Sequence, residues 1–205
     1  MLKKMYFTAV VFCALCAVLP SGLYADDQAL VEEGIRYHTL AEKNPQGNIE
    51  KGKEVLFPII EKNALAKGYY GSLITLEASM YETENNVFKA ALYLEKGTAL
   101  LDEAVVDSPN NIDLRFLRMI NSYELSNQSP MNRYKIMKID IDWLEGQRDI
   151  LEPGNAGLLD LYTGLYLVKA RKLRPAIVAF ESCIEVSPGS PEAAEAQIQL
   201  DRYGE

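Results

Sequence analysis

From Asp26 onward the apolar residues recur at helical spacing, and no sustained alternation of apolar and polar residues interrupts them. A half-buried strand needs that alternation, so the pattern predicts an all-α chain. Clusters rich in glycine, proline and asparagine cut the periodic stretch: "KNPQGN" at 43–48, "ENN" at 84–86, "DSPNN" at 107–111, "SNQSP" at 126–130, "EPGNAG" at 152–157 and "SPGSP" at 187–191. Between them the spacing predicts hairpins of helices over 28–43 with 48–65, 68–83 with 87–106, 111–126 with 131–151, and 156–171 with 174–187. A last helix is predicted from Pro191 to about Tyr203, with proline in its first turn and Ser190 as its cap.

Residues 1–25 follow a different logic. Lys3 and Lys4 precede a run without charge from Met5 to Leu19, then Pro20, Ser21 and Gly22 lead to Ala25. This is the pattern of a secretory signal peptide, with cleavage expected after Ala25 and a domain over 26–205. The run is shorter than the ~20 residues of a membrane span, and no second run follows. Cys13 and Cys16 raise a rival lipoprotein reading, but the large residues Phe12 and Leu15 precede them where a small one is wanted. The expected location is the periplasm, with no transmembrane span once the signal is removed.

The formal net charge is −8, and loss of the two signal lysines takes it to about −10. Phosphate backbones need a basic footprint, so nucleic acid is excluded as an expected partner. Two of the three cysteines leave with the signal, and Cys183 alone has no internal disulfide partner.

The 174–190 stretch, "RPAIVAFESCIEVSPGS", carries the sharpest signal. Gly164 and Leu167 are followed by Ala176, Phe180 and Cys183, and Pro188 closes the second helix. This resembles the tetratricopeptide repeat (TPR), whose pattern places small residues where two helices cross, a large one in the gap, and a terminal proline. Asp160 stands where that pattern has tryptophan. Gly34 and Tyr37 with Gly52, Leu56 and Ile59 repeat pieces of it, as do Gly97, Leu101, Ala104 and Pro109; Ile139, Trp143 and Gly146 fit loosely. The anchors Gly52, Gly97, Ile139 and Ala176 lie further apart than the roughly 34 residues of the consensus unit. The resemblance implies a TPR-like right-handed α-solenoid of about four hairpins plus a C-terminal capping helix. In that cap Ala193, Ala194 and Ile198 are expected to face inward, with Leu200 a further candidate, and Glu192, Glu195, Gln199 and Asp201 to face water.

No phosphate loop, nucleophile elbow, paired histidines or paired cysteines occur. His38 shares a helix face with Glu42, one turn on, which would suit an acid/base couple. The expectation is instead a polar residue of the first helix. Cys183 has Glu181 and Glu185 beside it, which oppose thiolate formation, so it is expected to be a small packing residue and not a nucleophile. Arg115 and Arg118 are read as a solvated face pairing with acids such as Asp113. The 12 tyrosines are read first as inter-helix packing and second as a ligand groove.

In the TPR family the first helix of each pair lines the groove. Carried over by register, the resemblance implies a groove containing Val31, Ile35 and His38; Thr75 and Ala78; Asp113, Phe116, Ile120 and Tyr123; and Leu161, Leu165 and Lys169. Together with the signal pattern of residues 1–25 it implies a non-enzymatic, cofactor-free, exported module that binds a protein or peptide in the cell envelope. The alternative is a solute- or lipid-binding accessory protein for an envelope transporter, and homo-oligomerisation is left open.

Overall fold

The computed structural model describes residues 23–204, so the expected signal segment lies almost wholly outside the described residues. Among those residues there are nine α-helices and no strand. They fall into two compact units divided between Leu117 and Arg118.

The first unit holds α1 (Leu23–Lys43), α2 (Asn48–Leu56), α3 (Ala64–Thr83), α4 (Val87–Asp107) and the start of α5 (Ile112–Gln128). The helix predicted over 48–65 is in fact two pieces. Pro58 supplies no N–H and its ring obstructs a continuing α-helix, so the chain tightens into a 3₁₀ turn at Phe57–Ile59. Asn63 then starts α3 four residues earlier than expected, its Oδ1 accepting from Ala66 N at 3.0 Å. Asn86 and Asn111 cap α4 and α5 in the same way, accepting from Lys89 N at 3.1 Å and Leu114 N at 2.9 Å.

Ile49, Leu56, Leu73 and Leu101 form the buried heart of this unit. Where α3 crosses α4, a methyl on Gly97 would stand 2.6 Å from the Gly71 carbonyl oxygen, so the two backbones touch there directly. Leu101 and Ala104 continue the buried side of α4. On α1 a methyl on Gly34 would enter the Leu56 side chain of α2, and Tyr37 lies half-buried beside Gly52.

The second unit holds the rest of α5 with α6 (Tyr134–Glu145), α7 (Pro153–Lys169), α8 (Leu173–Val186) and α9 (Pro191–Tyr203). The helix predicted over 131–151 runs only over Tyr134–Glu145, followed by a 3₁₀ turn at Arg148–Ile150. Its buried side is Met137, Asp140, Ile141 and Leu144, so the expected anchors Ile139, Trp143 and Gly146 are off register: Ile139 is exposed, and Gly146 sits at the helix end. Aspartate at a core position hid the true stripe. Arg118 explains it, donating from Nε and Nη2 to the Asp140 carboxylate at 2.8 and 2.7 Å, with both side chains buried. Arg118 is thus an interior ion pair and not part of a solvated face. Arg115 donates to the Pro109 carbonyl at 3.1 and 2.9 Å.

The α7–α8 contact is built on Gly164, against which the fully buried Phe180 ring packs, with Ala176 and Cys183 on the same side of α8. Asp160, at the family's tryptophan position, is buried and accepts from Arg148 and from Ser182 Oγ at 2.7 Å. A polar tie replaces an aromatic filler. Gly189 turns the chain at φ 78°, and Ser190 Oγ accepts from Ala193 N at 3.0 Å to begin α9.

The expected faces of α9 hold at Ala193 and Asp201, leave Leu200 half-buried, and are reversed elsewhere. Glu192, Ala193, Glu195, Ala196 and Gln199 are buried, whereas Ala194 and Ile198 point outward. Glu195 Oε1 accepts from Gln199 Nε2 at 2.6 Å, and Glu192 sits in the first turn, where exposed amides favour a carboxylate.

Candidate functional site

The groove residues of the first unit are mostly interior. His38 and Thr75 are buried where α1 meets α3, and Phe116 is buried on α5; Asp113 is half-buried in the first turn of α5. His38 Nε2 lies 2.8 Å from Ser72 Oγ, its Nδ1 lies 3.7 Å from Glu42 Oε1, and its ring meets Tyr69 edge-on at 5.2 Å. Thr75 Oγ1 donates to the Ser72 carbonyl at 2.7 Å. The serine–histidine–carboxylate order has the outline of a nucleophilic relay, yet the geometry opposes that chemistry. Ser72 and His38 are 4% and 6% exposed. Ser72 also lies in mid-helix, where backbone N–H groups are spent on the helix and none is left to hold an oxyanion. At 3.7 Å, Glu42 is beyond a hydrogen bond. Burial pushes the imidazole pKa down to about 4, so it is neutral near pH 7. These residues are a buried packing cluster.

Cys183 is equally inert. Burial pushes its thiol up to about 12, with the charges of Asp160 and Glu192 adding to the shift. Among the described residues no group of three or more His, Cys, Asp or Glu side chains could hold a metal ion. No described helix is long and apolar enough to cross a membrane.

In the second unit Ile120 is half-buried on α5, and Lys169 is exposed in the last turn of α7. Tyr123 is the groove candidate that gathers others around it. Its half-buried ring meets buried Tyr162 of α7 edge-on, with centroids 5.4 Å apart. Burial raises its phenol pKa, and the charges of Glu124 and Glu195 and the nearby Tyr134 phenol act in the same direction. Tyr134 of α6 donates to Asn127 Oδ1 at 2.9 Å. Glu124 accepts from Gln128 at 2.5 Å, and burial raises its carboxyl above the usual range. Side chains of α5 and α7 thus meet at Tyr123, with Tyr134 of α6 and Glu195 of α9 near enough for their charges to act on its phenol. Glu124 and Glu195 could not be assigned to this patch from the sequence, because neighbours on other helices decide which face of each helix is buried.

The half-buried Tyr123, Tyr134 and Glu124 are the patch's accessible groups, offering aromatic faces with hydroxyls and a carboxyl, whereas Tyr162 and Glu195 back them from the interior.

Helical hairpins with glycine crossings and a buried phenylalanine in the gap define a TPR-like α-solenoid. The chain is similar in fold to a solved structure of MamA from AMB-1, in a P212121 crystal, with a TM-score of 0.50 at 13% sequence identity. The alignment covers 88% of this chain and 86% of that one. At that identity the likeness is one of fold. No family model and no curated protein matches the sequence.

Proposed function

We propose that this chain is a non-enzymatic, exported binding module that captures a protein or peptide in the cell envelope. The observation that carries the reading is the Tyr123 patch: a half-buried tyrosine seated against Tyr162, with the Glu124 and Glu195 carboxylates near it. A rigid aromatic held by packing contributes contact area at little ordering cost. The TPR-like fold supports a surface of this kind, and the absence of any catalytic grouping from the sequence agrees with it. The charged, then apolar, then small-residue order of residues 1–25 supports export.

Site-specific photocrosslinking tests this in the native host. A photoreactive phenylalanine analogue replacing Tyr123 is expected to trap one discrete protein, and the same analogue at exposed Glu95 is not. Tyr123→Ala should weaken capture of that protein about tenfold or more while helical content is unchanged. Equal trapping at both positions, or undiminished capture by Tyr123→Ala, refutes the assignment. Recovery of the chain only from the cytoplasm refutes the envelope location. A small molecule or lipid that copurifies in native mass spectrometry would favour the transporter-accessory alternative.

A further inference from the structure

Where this chain withdraws a carboxylate from water, it usually supplies a cation of its own. Buried Asp140 accepts from Arg118 at 2.8 and 2.7 Å, buried Asp160 takes Arg148, and Glu77, also buried, takes Lys53. Glu192 sits instead in the first turn of α9, where exposed amides favour it. At the Tyr123 patch the compensation is missing. Glu124 accepts only from the Gln128 amide at 2.5 Å, and Glu195 only from the Gln199 amide at 2.6 Å, each a neutral partner one turn along its own helix. Among the described residues no lysine, arginine or histidine pairs with either; Arg133, at the start of α6, donates to Ser122 Oγ at 3.4 Å. Burial raises the Glu124 carboxyl with only the Gln128 hydrogen bond opposing it, and the charge of Glu195 reaches the Tyr123 phenol.

We infer that the protein captured at this patch presents a lysine or arginine side chain, whose cation pairs with the Glu124 carboxylate beside the Tyr123 and Tyr134 rings. This rests on the capture reading given above and adds the chemistry of what is captured. An amide hydrogen bond supports a carboxylate without neutralising it, so the desolvation of Glu124 stays uncompensated until a positive charge arrives. Both rings are positioned without a cation: Tyr123 by Tyr162, edge-on at 5.4 Å, and Tyr134 by its hydroxyl on Asn127. Phenol rings next to a carboxylate suit a cation and its alkyl stem together. Tyr123, Tyr134 and Glu124 are each half-buried and so remain within reach of an incoming side chain, while Glu195 adds negative potential from the interior. An acidic segment would meet like charge with no cation to receive it.

The test titrates the protein with short capped peptides that differ only at a central lysine, arginine, norleucine or glutamate, and follows the backbone amide resonances of Tyr123 and Glu124. The lysine and arginine peptides are expected to bind at least about tenfold more tightly than the norleucine peptide, which matches the lysine stem without its charge. Glu124→Gln keeps the shape of the side chain and should abolish that preference with an unchanged melting temperature. The proposal is overturned if norleucine or glutamate binds as well as lysine, if no peptide moves these resonances, or if Glu124→Gln keeps the preference. A melting temperature lowered by Glu124→Gln would make the carboxylate a support of the fold and would also overturn it. In the native host, the segment crosslinked at Tyr123 should carry a basic residue next to the point of attachment; a segment without one overturns this inference and leaves the capture reading standing. Failure to trap any protein counts against the capture reading, whereas the peptide comparison decides the charge preference by itself.

Discussion

Gly164 and Phe180 share a space that leaves no room for one more methyl: a β-carbon on Gly164 would lie 2.4 Å from the Phe180 ring. The ring is fully buried and has nowhere to turn. Gly164→Ala is therefore expected to destabilise the protein by about 1–3 kcal/mol through overpacking. Gly154, near the start of α7, has nothing within 4 Å of its added methyl. Gly154→Ala should be neutral or stabilising by up to about 1 kcal/mol. Urea unfolding of the pair separates crossing geometry from general helix propensity.

Burial holds His38 at a pKa of about 4 in the folded chain, against 6.5 for an ordinary histidine. Between those values the unfolded chain binds the proton more readily. The stability His38 permits is therefore fully present above pH 6.5 and falls as the pH drops toward 4, by an amount on the order of 3 kcal/mol. Other carboxylates titrate in the same window, so the informative quantity is a difference. Subtracting the unfolding free energy of His38→Gln from that of the wild type at each pH should give a curve that declines between pH 6.5 and 4. A flat difference would show that the imidazole is not held neutral.

The Arg118–Asp140 pair is enclosed on both sides, with Asp140 fully buried. Asp140→Ala would leave a guanidinium without its carboxylate and should cost about 3–5 kcal/mol. Replacing both members, as Arg118→Met with Asp140→Leu, should recover most of that loss. Chemical denaturation of the three variants measures the coupling directly, and an Asp140→Ala loss below about 1 kcal/mol would mark the pair as solvated.

Cys183 should not react with an aromatic disulfide reagent in the folded protein and should react promptly in denaturant, because both its burial and its raised pKa suppress the thiolate. Prompt reaction under native conditions would place this thiol at the surface.

Much of the architecture was legible because its determinants are local. Ser190 and Pro191 mark the start of α9, and Gly164, Ala176, Phe180 and Pro188 carry the crossing and ending of one hairpin within a short stretch. The α6 register and the α9 faces were not legible, since Asp140, Glu192 and Glu195 are charged residues on buried sides. Charge normally marks the water side, and only a distant partner such as Arg118 reverses the assignment for Asp140. The same limit applies to the groove. Register placed His38, Thr75 and Phe116 on first helices, but their burial depends on neighbours such as Ser72, 34 residues from His38. Tyr123 lies half-exposed with other tyrosines and carboxylates near it, so the face it occupies was easier to anticipate than its composition.

The inward side of α9 offers only Ala193 and Ala196 as fully covered apolar side chains, where α8 offers Phe180, Ala176, Ala179 and Cys183. Hydrophobic burial scales with area, so the last helix is fastened far more lightly than the one before it. In native-state hydrogen exchange its amides should open well before those of α8. The C-terminal helix therefore behaves as a latch, the first part of its hairpin stack to open and the last to close, along Pro191–Tyr203.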